Sequence, residues 1–204
     1  MKSEDHQNQT VIGAATGGGF YAGRIRVGDV LYALVVAPKA EGEIGDAAWN
    51  KSLKSITGSL SYCDGPANTR AMAEGGSPLA QWALDLRVGG NDDWYLPSQD
   101  ELEIIYRSLK PTDTKNWCYA RSGINVSAEI PTYPYTPDFP VKTPAGSFRQ
   151  GGSEAFEPAW YWSSTQHASA SDCAWYQYFN YGSQTSNHKT SELRARAVRR
   201  LVIE

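Results

Sequence analysis

The stretch "YWSSTQHASASDCAWYQYFNYG", residues 161–182, decides the fold that this sequence predicts. Two aromatic-rich runs, "YWSST" and "AWYQYFNYG", flank a short run of small polar residues, which is typical of two strands joined by a loop. A third strand-like run, "ELRARAVRRLVI", follows at residues 192–203. Its apolar alternation shifts at Val198, which predicts a β-bulge near Arg199. The C-terminal part of the chain is therefore expected to form short antiparallel strands.

The opening stretch also concentrates residue types that occur in catalytic sites. Ser164, His167 and Asp172 are the types of a nucleophilic triad. Triad members usually come from separate elements, however, and no G-x-S-x-G turn precedes this serine. Cys173 has His167 and His188 as partners for a thiol pair, yet a cysteine at a strand start is more often an inert structural thiol. The sequence therefore predicts a protein that is not an enzyme.

Metal-ligand and acid chemistry have weaker support in the sequence. The spacing of His167, Asp172 and His188 matches no zinc pattern. Calcium is the one cofactor left open, because three oxygen-bearing residues cluster beside a turn: Asn91, Asp92 and Asp93. No spacing selects a glycosidase-type pair among the acids Asp92, Asp93, Glu154 and Glu157. We expect neither a metal nor another cofactor at the site.

A binding surface uses more of the opening stretch. Alternate residues of a strand point to opposite faces, so Trp175 and Phe179 are expected to face the core. Tyr176, Tyr178 and Asn180 then face solvent, next to the polar connection "GSQTSNHK". Tyr, Ser, Asn and Gly are residues that adaptable recognition surfaces use. The alternative, a solvated strand edge with ordinary tyrosines, stays open.

The rest of the chain predicts one α+β domain at residues 19–204. Residues 1–18 predict a flexible or assembly-ordered N-terminal arm that ends in a glycine run. A proline-rich insertion at about residues 119–158 is expected to lie as a long ordered loop over the surface. Three aromatic residues are expected to hold it there: Tyr133, Tyr135 and Phe139.

Local signals predict a hairpin and two helices. The Gly-Asp pair at residues 28–29 is typical of a type II′ hairpin turn. The first helix is expected to start after Ser77 and to end at the Gly-Gly pair of residues 89–90. Ser98 and Glu101 form a capping box at the start of the second helix.

Composition excludes several classes of function. A net charge of −3 and a pI near 5.7 give no electrostatic footprint for nucleic acid. The polar N-terminus has no apolar core of a secretory signal, and no apolar run is long enough to insert in a membrane. The three cysteines, Cys63, Cys118 and Cys173, are far apart and are expected to be reduced. A soluble protein made in a cytoplasm is predicted.

Four motifs resemble those of the DUF1566 family, also called the Lcl C-terminal domain. They are "DDWYLPSQDEL", "YWSST", "AWYQYFNYG" and "RARAVR", which occur in this order between Asp92 and Arg199. Tyr95 is a departure, because the family commonly has Arg there. The resemblance implies a C-type-lectin-like fold of the formylglycine-generating-enzyme type, with short antiparallel strands, two helices and long ordered loops. The sequence lacks the reactive cysteine pair of that enzyme.

The resemblance also implies a function, since the N-terminal half looks like the phage-encoded subgroup. By that likeness the protein is a bacteriophage virion protein of the tail or tail fibre that binds a host-surface receptor, polysaccharide or protein. The candidate contact residues are Tyr176, Tyr178, Asn180, Ser183, Gln184, Thr185, Asn187 and His188. Other tail proteins and a homo-oligomer, with a trimer suggested by tail-fibre symmetry, are expected partners. The alternative is a structural or adaptor protein of the tail whose aromatic face binds another virion protein.

Overall fold

A hairpin near the N-terminus builds the first of two sheets. In a computed structural model, which describes residues 11–119, 121 and 123–203, β2 (Gly19–Val27) and β3 (Val30–Val36) pair antiparallel. Only the first residue of the turn between them has a positive φ, 57° at Gly28, as the predicted type II′ turn requires. β1 (Ala15–Thr16) and β9 (Val198–Val202) complete a sheet of order β1-β2-β3-β9.

The second sheet has the strand order β4-β8-β5-β6-β7. Its strands are β4 (Glu43–Ala48), β5 (Trp160–Gln166), β6 (Cys173–Tyr178), β7 (Gln184–His188) and β8 (Glu192–Arg196). The pairings are antiparallel, as expected, except that β5 and β8 run parallel where Tyr161 meets Arg194. The opening stretch of the sequence thus supplies the β5–β6 hairpin.

β7 corrects one sequence expectation. Residues 182–189 were predicted to be a polar connection, but residues 184–188 form the edge strand of the second sheet. Their backbone pairs with β6 from Cys173–His188 to Gln177–Gln184. The sequence gives little signal for this strand because an edge strand needs few apolar side chains and polar ones protect it from pairing with other chains.

The expected bulge near Arg199 is a change of sheet instead. β8 ends at Arg196 and β9 begins at Val198, and the two strands belong to different sheets. The backbone of Ala197 bonds the carbonyl of Gly42 and the N–H of Ala37, so it crosses between the sheets. The observed phase shift in the sequence marks this crossing.

Four helices, not two, occur in the described part of the chain. They are α1 (Lys39–Gly42), α2 (Gly65–Glu74), α3 (Pro78–Asp85) and α4 (Gln99–Leu109). Sequence analysis missed α2, although Asp64 caps it by accepting a hydrogen bond from the Ala67 N–H. Met72 is the one large apolar residue of α2, so the helix has no apolar stripe to reveal it.

The predicted helix starts are confirmed, and one predicted end is wrong. Ser77 caps α3 through the Ala80 N–H, and Ser98 with Glu101 makes the capping box of α4. α3 ends at Asp85 rather than at the glycine pair. Residues 89–90 lie instead in a tight turn, which is closed by backbone hydrogen bonds between Val88 and Asn91.

Two layers of apolar side chains hold the sheets and helices together. The first sheet packs against α4 in a cluster that includes Ile25, Leu34, Ile105 and Tyr106. The second sheet packs against α2 and α3 in a cluster that includes Trp49, Met72, Leu79, Trp162 and Leu193. Three of the four helices follow one another between β4 and β5, and the sheets are mainly antiparallel, so the predicted α+β class is confirmed.

The predicted arm and insertion both contribute to the packed domain. Residues 1–10 lie outside the described residues, but Ala15 and Thr16 pair with β2, so the boundary expected at residue 18 lies within the first sheet. In the insertion, Tyr135 is buried against Tyr106. The other two expected anchors, Tyr133 and Phe139, are largely exposed. Within the described residues, no helix is long and apolar enough to cross a membrane.

Candidate functional site

A row of aromatic rings crosses one face of the β5–β6 hairpin and continues onto the neighbouring loops. Successive ring centroids lie 4.5 to 6.3 Å apart, in tilted and edge-to-face arrangements that aromatic pairs prefer. We call this row the aromatic strip. In spatial order it comprises Trp162, Tyr176, Trp160, Tyr178, Tyr181 and Trp117.

Strand register explains why these rings line up. Trp162 pairs with Tyr176, and Trp160 pairs with Tyr178. Residues directly opposite each other on paired strands share a face, and residues two apart on one strand share it as well. The "WYW" and "YQY" sequences therefore place four rings on the same face. Trp117 joins the strip from the loop after α4, where its backbone N–H donates to the Tyr181 carbonyl at 2.9 Å.

The strip is anchored in the core at one end and open to solvent at the other. Trp162 is fully buried and its indole N–H donates to the Ala47 carbonyl at 2.9 Å. Burial also raises the pKa of the Tyr176 phenol, which stays neutral. By contrast, Trp160 is 45% exposed and Trp117 is 57% exposed. The exposed rings are thus held by a rigid base, which lowers the entropy that they lose on binding.

Polar groups surround a depression of about 320 Å³ beside the exposed end of the strip. Trp160 and Tyr178 form its aromatic wall, and Asp46, Glu192 and Arg194 contribute charged groups. Asp46 sits in a β-bulge of β4 with a φ of 50°, the one positive value for a non-glycine residue in the described chain. Such backbone strain often occurs at ligand-contacting positions.

The predicted strand faces are only partly correct. Phe179 is fully buried as expected. Trp175 is half-buried instead, and its ring stacks on His167 with centroids 5.0 Å apart. The buried position on that face belongs to Gln177, which donates to the Gly182 carbonyl at 2.6 Å. Tyr176 is not fully outward, because it packs against the cluster that contains Trp162.

The other candidate contact residues divide between two faces of the hairpin. Thr185 and Asn187 pair with Tyr176 and Ala174, so they lie on the face of the aromatic strip. Gln184 and His188 lie on the opposite face.

Three candidates are engaged within the domain. The Gln184 amide oxygen accepts from Arg121 at 2.7 Å. The Ser183 carbonyl accepts a hydrogen bond from the Tyr178 backbone N–H. The Asn180 carbonyl accepts one from the Thr112 hydroxyl.

The triad residue types do not form a triad. The Ser164 hydroxyl is buried and has no hydrogen-bond partner among the described residues. His167 uses its Nδ1 to accept from the N–H groups of Ser169 and Ala170. A catalytic serine needs a base within hydrogen-bond reach, and the base needs an orienting group on its other nitrogen. The nucleophilic reading of this segment therefore has no geometric support.

Three side chains of metal-ligand type do converge where β6 begins and β7 ends. Asp172, Cys173 and His188 bring one ligand atom each to within 4.8 Å of one another. The His188 Nδ1 lies 3.2 Å from an Asp172 oxygen and 4.0 Å from the Cys173 Sγ. Of the metal candidates considered from sequence, His167 is not part of this group within the described residues.

Three of the four acids considered from sequence are paired with cations, and Asp92 is exposed. Asp93 binds Arg199 at 2.7 Å, and the Asn91 amide donates to the carbonyls of Gly17 and Gly89. These groups do not present converging oxygens for calcium. Glu154 and Glu157, both considered as glycosidase acids, bind Arg196 and Lys39, each at 2.6 Å.

The arginine-rich last strands form buried ion pairs. Glu101 is fully buried and accepts from Tyr95 and Arg200, each at 2.6 Å. Burial and the Glu101 charge raise the pKa of Tyr95 well above its usual value. Arg196 lies between Glu43 and Glu154. Glu101 of the "DDWYLPSQDEL" motif and Arg196 of the "RARAVR" motif therefore form ion pairs within the domain.

Sequence reasoning missed four rings of the strip: Trp162, Trp160, Tyr181 and Trp117. Trp160 had a usable signal, because it stands two residues before Trp162 in a strand. Trp117 had no such signal, since its position depends on a backbone hydrogen bond to Tyr181, which lies in a loop far away in the sequence.

The fold and this site define an α+β domain with a solvent-exposed aromatic face and buried arginine–carboxylate pairs. The family model of the Lcl C-terminal domain matches residues 48–199. The chain therefore belongs to the Lcl C-terminal domain family, as the four motifs indicated. The match also covers α2 and α3, which lie before the motifs. No match was found among curated proteins.

Proposed function

We propose that this protein is a non-enzymatic bacteriophage virion protein of the tail or tail fibre. In this proposal the exposed part of the aromatic strip binds a polysaccharide of the host surface. The proposal includes the C-type-lectin-like fold and the virion location that the family resemblance implies. The observation that carries it is the continuous row of rings, rigid at Trp162 and exposed at Trp160 and Trp117.

The chemistry beside the strip favours a sugar among the receptor classes. Exposed aromatic faces pack on the apolar faces of sugar rings, while hydroxyl groups need charged or polar partners at the edge. Asp46, Glu192 and Arg194 supply such partners around the depression next to Trp160 and Tyr178. Several copies on one particle would raise the avidity of a weak individual contact.

The test measures binding of purified protein to host cells and to their isolated surface polysaccharide. A Trp160→Ala/Tyr178→Ala variant should lose about 30-fold or more in affinity, because buried aromatic anchors typically contribute about 2 kcal/mol or more. Tyr62→Ala is the matched control, since Tyr62 is 47% exposed and lies outside the strip, before α2. Its binding should be unchanged.

Two results would contradict this function. Wild-type protein that neither binds cells nor blocks phage adsorption would exclude receptor binding. Cleavage of the polysaccharide by the purified protein would exclude a non-enzymatic role. Circular dichroism on each variant separates loss of binding from loss of folding.

A second candidate function has its own observation. The proline-rich insertion exposes large apolar side chains: Val126 is 87% exposed and Ile130 is 80% exposed. Ile130 lines an apolar cleft of about 540 Å³ between β2, α4 and the insertion, which Tyr133 and Phe139 also line. Such surface favours an adaptor role or a homo-oligomer contact. An Ile130→Asp variant that loses self-association or co-purification with tail proteins, but still binds cells, would separate the two roles.

A further inference from the structure

The β6–β7 hairpin carries a second site on the face away from the aromatic strip. We propose that Asp172, Cys173 and His188 bind a divalent transition-metal ion of the Zn²⁺ class. This site is independent of the receptor-binding proposal. It combines a thiol, an imidazole and a carboxylate, the ligand types that zinc takes in proteins.

Backbone pairing brings the three ligands together. Cys173 and His188 are directly opposite each other at the end of the β6–β7 ladder. Side chains of such pairs project from the same face, so the thiol and the imidazole are neighbours by register. Asp172 is fixed beside them because its carbonyl accepts from the Lys189 N–H at 2.9 Å.

The distances fit a single small ion. Zinc–ligand bonds of about 2.3 Å to sulfur and about 2.0–2.2 Å to nitrogen and oxygen imply tetrahedral edges of about 3.4–3.6 Å. The corresponding distances here are 3.2 Å between Asp172 and His188 and 4.0 Å between Cys173 and His188. The Cys173–His188 distance, and the Asp172–Cys173 distance of at most 4.8 Å, would have to shorten to these values by side-chain rotation.

The surroundings allow an ion to enter. The His188 and Asp172 side chains are 61% and 43% exposed, which leaves a path from solvent and room for a water as the fourth ligand. The nearest cation on the same hairpin is Lys189, whose ammonium is turned toward the Lys54 carbonyl and Gln166. Its charge opposes metal binding but does not occupy the ligand positions.

A metal here would hold the end of an edge strand. β7 has one strand neighbour, β6, so its outer end relies on few contacts. A bridge between the turn before β6 and the last residue of β7 would clamp the two strands. Binding to the folded form alone would also raise the melting temperature as zinc is added.

The experiment titrates untagged, reduced full-length protein with ZnCl₂ by calorimetry and with CoCl₂ by absorption spectroscopy. Wild type should bind one equivalent, with a thiolate-to-cobalt charge-transfer band. Cys173→Ser should remove that band, and Cys173→Ser and His188→Ala should each lower zinc affinity by about 100-fold or more, since even outer-shell losses cost about 10–100-fold.

Matched controls use another thiol and the other two histidines of the chain. Cys63→Ser, His167→Ala and His6→Ala should keep both the affinity and the cobalt band. The proposal is overturned if wild type binds no zinc. It is equally overturned if Cys173→Ser and His188→Ala bind zinc as tightly as wild type, which would place the ion elsewhere.

Discussion

Glu101 carries a charge that is buried in the domain and paired with Arg200. Its side chain is fully buried and accepts three hydrogen bonds: from the Ser98 N–H at 2.7 Å, the Tyr95 phenol at 2.6 Å and the Arg200 guanidinium at 2.6 Å. Glu101→Gln keeps the size of the side chain. It removes the negative charge and turns one acceptor into a donor that faces another donor.

The magnitude follows from what remains around Arg200. Breaking a buried ion pair by removing one partner typically costs about 3–5 kcal/mol. Asp64 still lies 3.6 Å from Arg200 and is partly exposed, so some compensation remains. We therefore expect a loss near the lower limit, about 3 kcal/mol. For a chain of this length that corresponds to a fall in melting temperature of about 6–12 °C.

Thermal and urea unfolding of matched variants test this reasoning. Glu157→Gln is the control, because Glu157 makes a single pair with Lys39 and its side chain is 46% exposed. Exposed pairs contribute about 0–1 kcal/mol, so this variant should unfold close to wild type. A loss for Glu101→Gln that is no larger than that of Glu157→Gln would refute the view that the buried Glu101–Arg200 pair stabilises the fold.

Two further predictions concern backbone packing and pH. Gly19→Ala should destabilise the protein by about 1–3 kcal/mol in urea unfolding, because the new Cβ would collide with the Val36 carbonyl. Gly146→Ala meets open space and should be nearly neutral; equal losses would contradict this prediction. Burial lowers the pKa of Lys110 in the folded protein. Between this folded pKa and the unfolded pKa of about 10.4, the unfolded chain therefore binds more protons than the folded one. Stability relative to Lys110→Met should therefore rise with pH from the lowered folded pKa up to that value, and a pH-independent difference would disprove it.

Local signals in the sequence were sufficient where a few adjacent residues determine the structure. The capping box of Ser98 and Glu101 and the Gly28 turn depend on backbone groups within three residues, so they were predicted correctly. Tyr176 and Tyr178 were likewise placed on one face by the two-residue period of a strand.

Non-local pairing determined what the sequence did not show. β7 is a strand because β6 supplies its hydrogen bonds, not because its own residues favour one. Trp175 was expected in the core as a large apolar residue, but the face of β6 that meets α4 buries Gln177 instead. The indole of Trp175 is left at the open end beside His167. The partners that decide these positions are distant in sequence, so periodicity alone cannot identify them.

The register of β6 and β7 links the two proposed sites. Thr185 stands beside Tyr176 on the strip face only while Cys173 stands opposite His188 on the other face. A slip of one residue would turn every β7 side chain to the opposite face. A metal held by Cys173 and His188 would fix the register that presents Thr185 and Asn187 next to the aromatic strip. Since β7 is an edge strand of polar residues, its own side chains specify that register weakly, and an ion held by Cys173 and His188 would supply a further constraint.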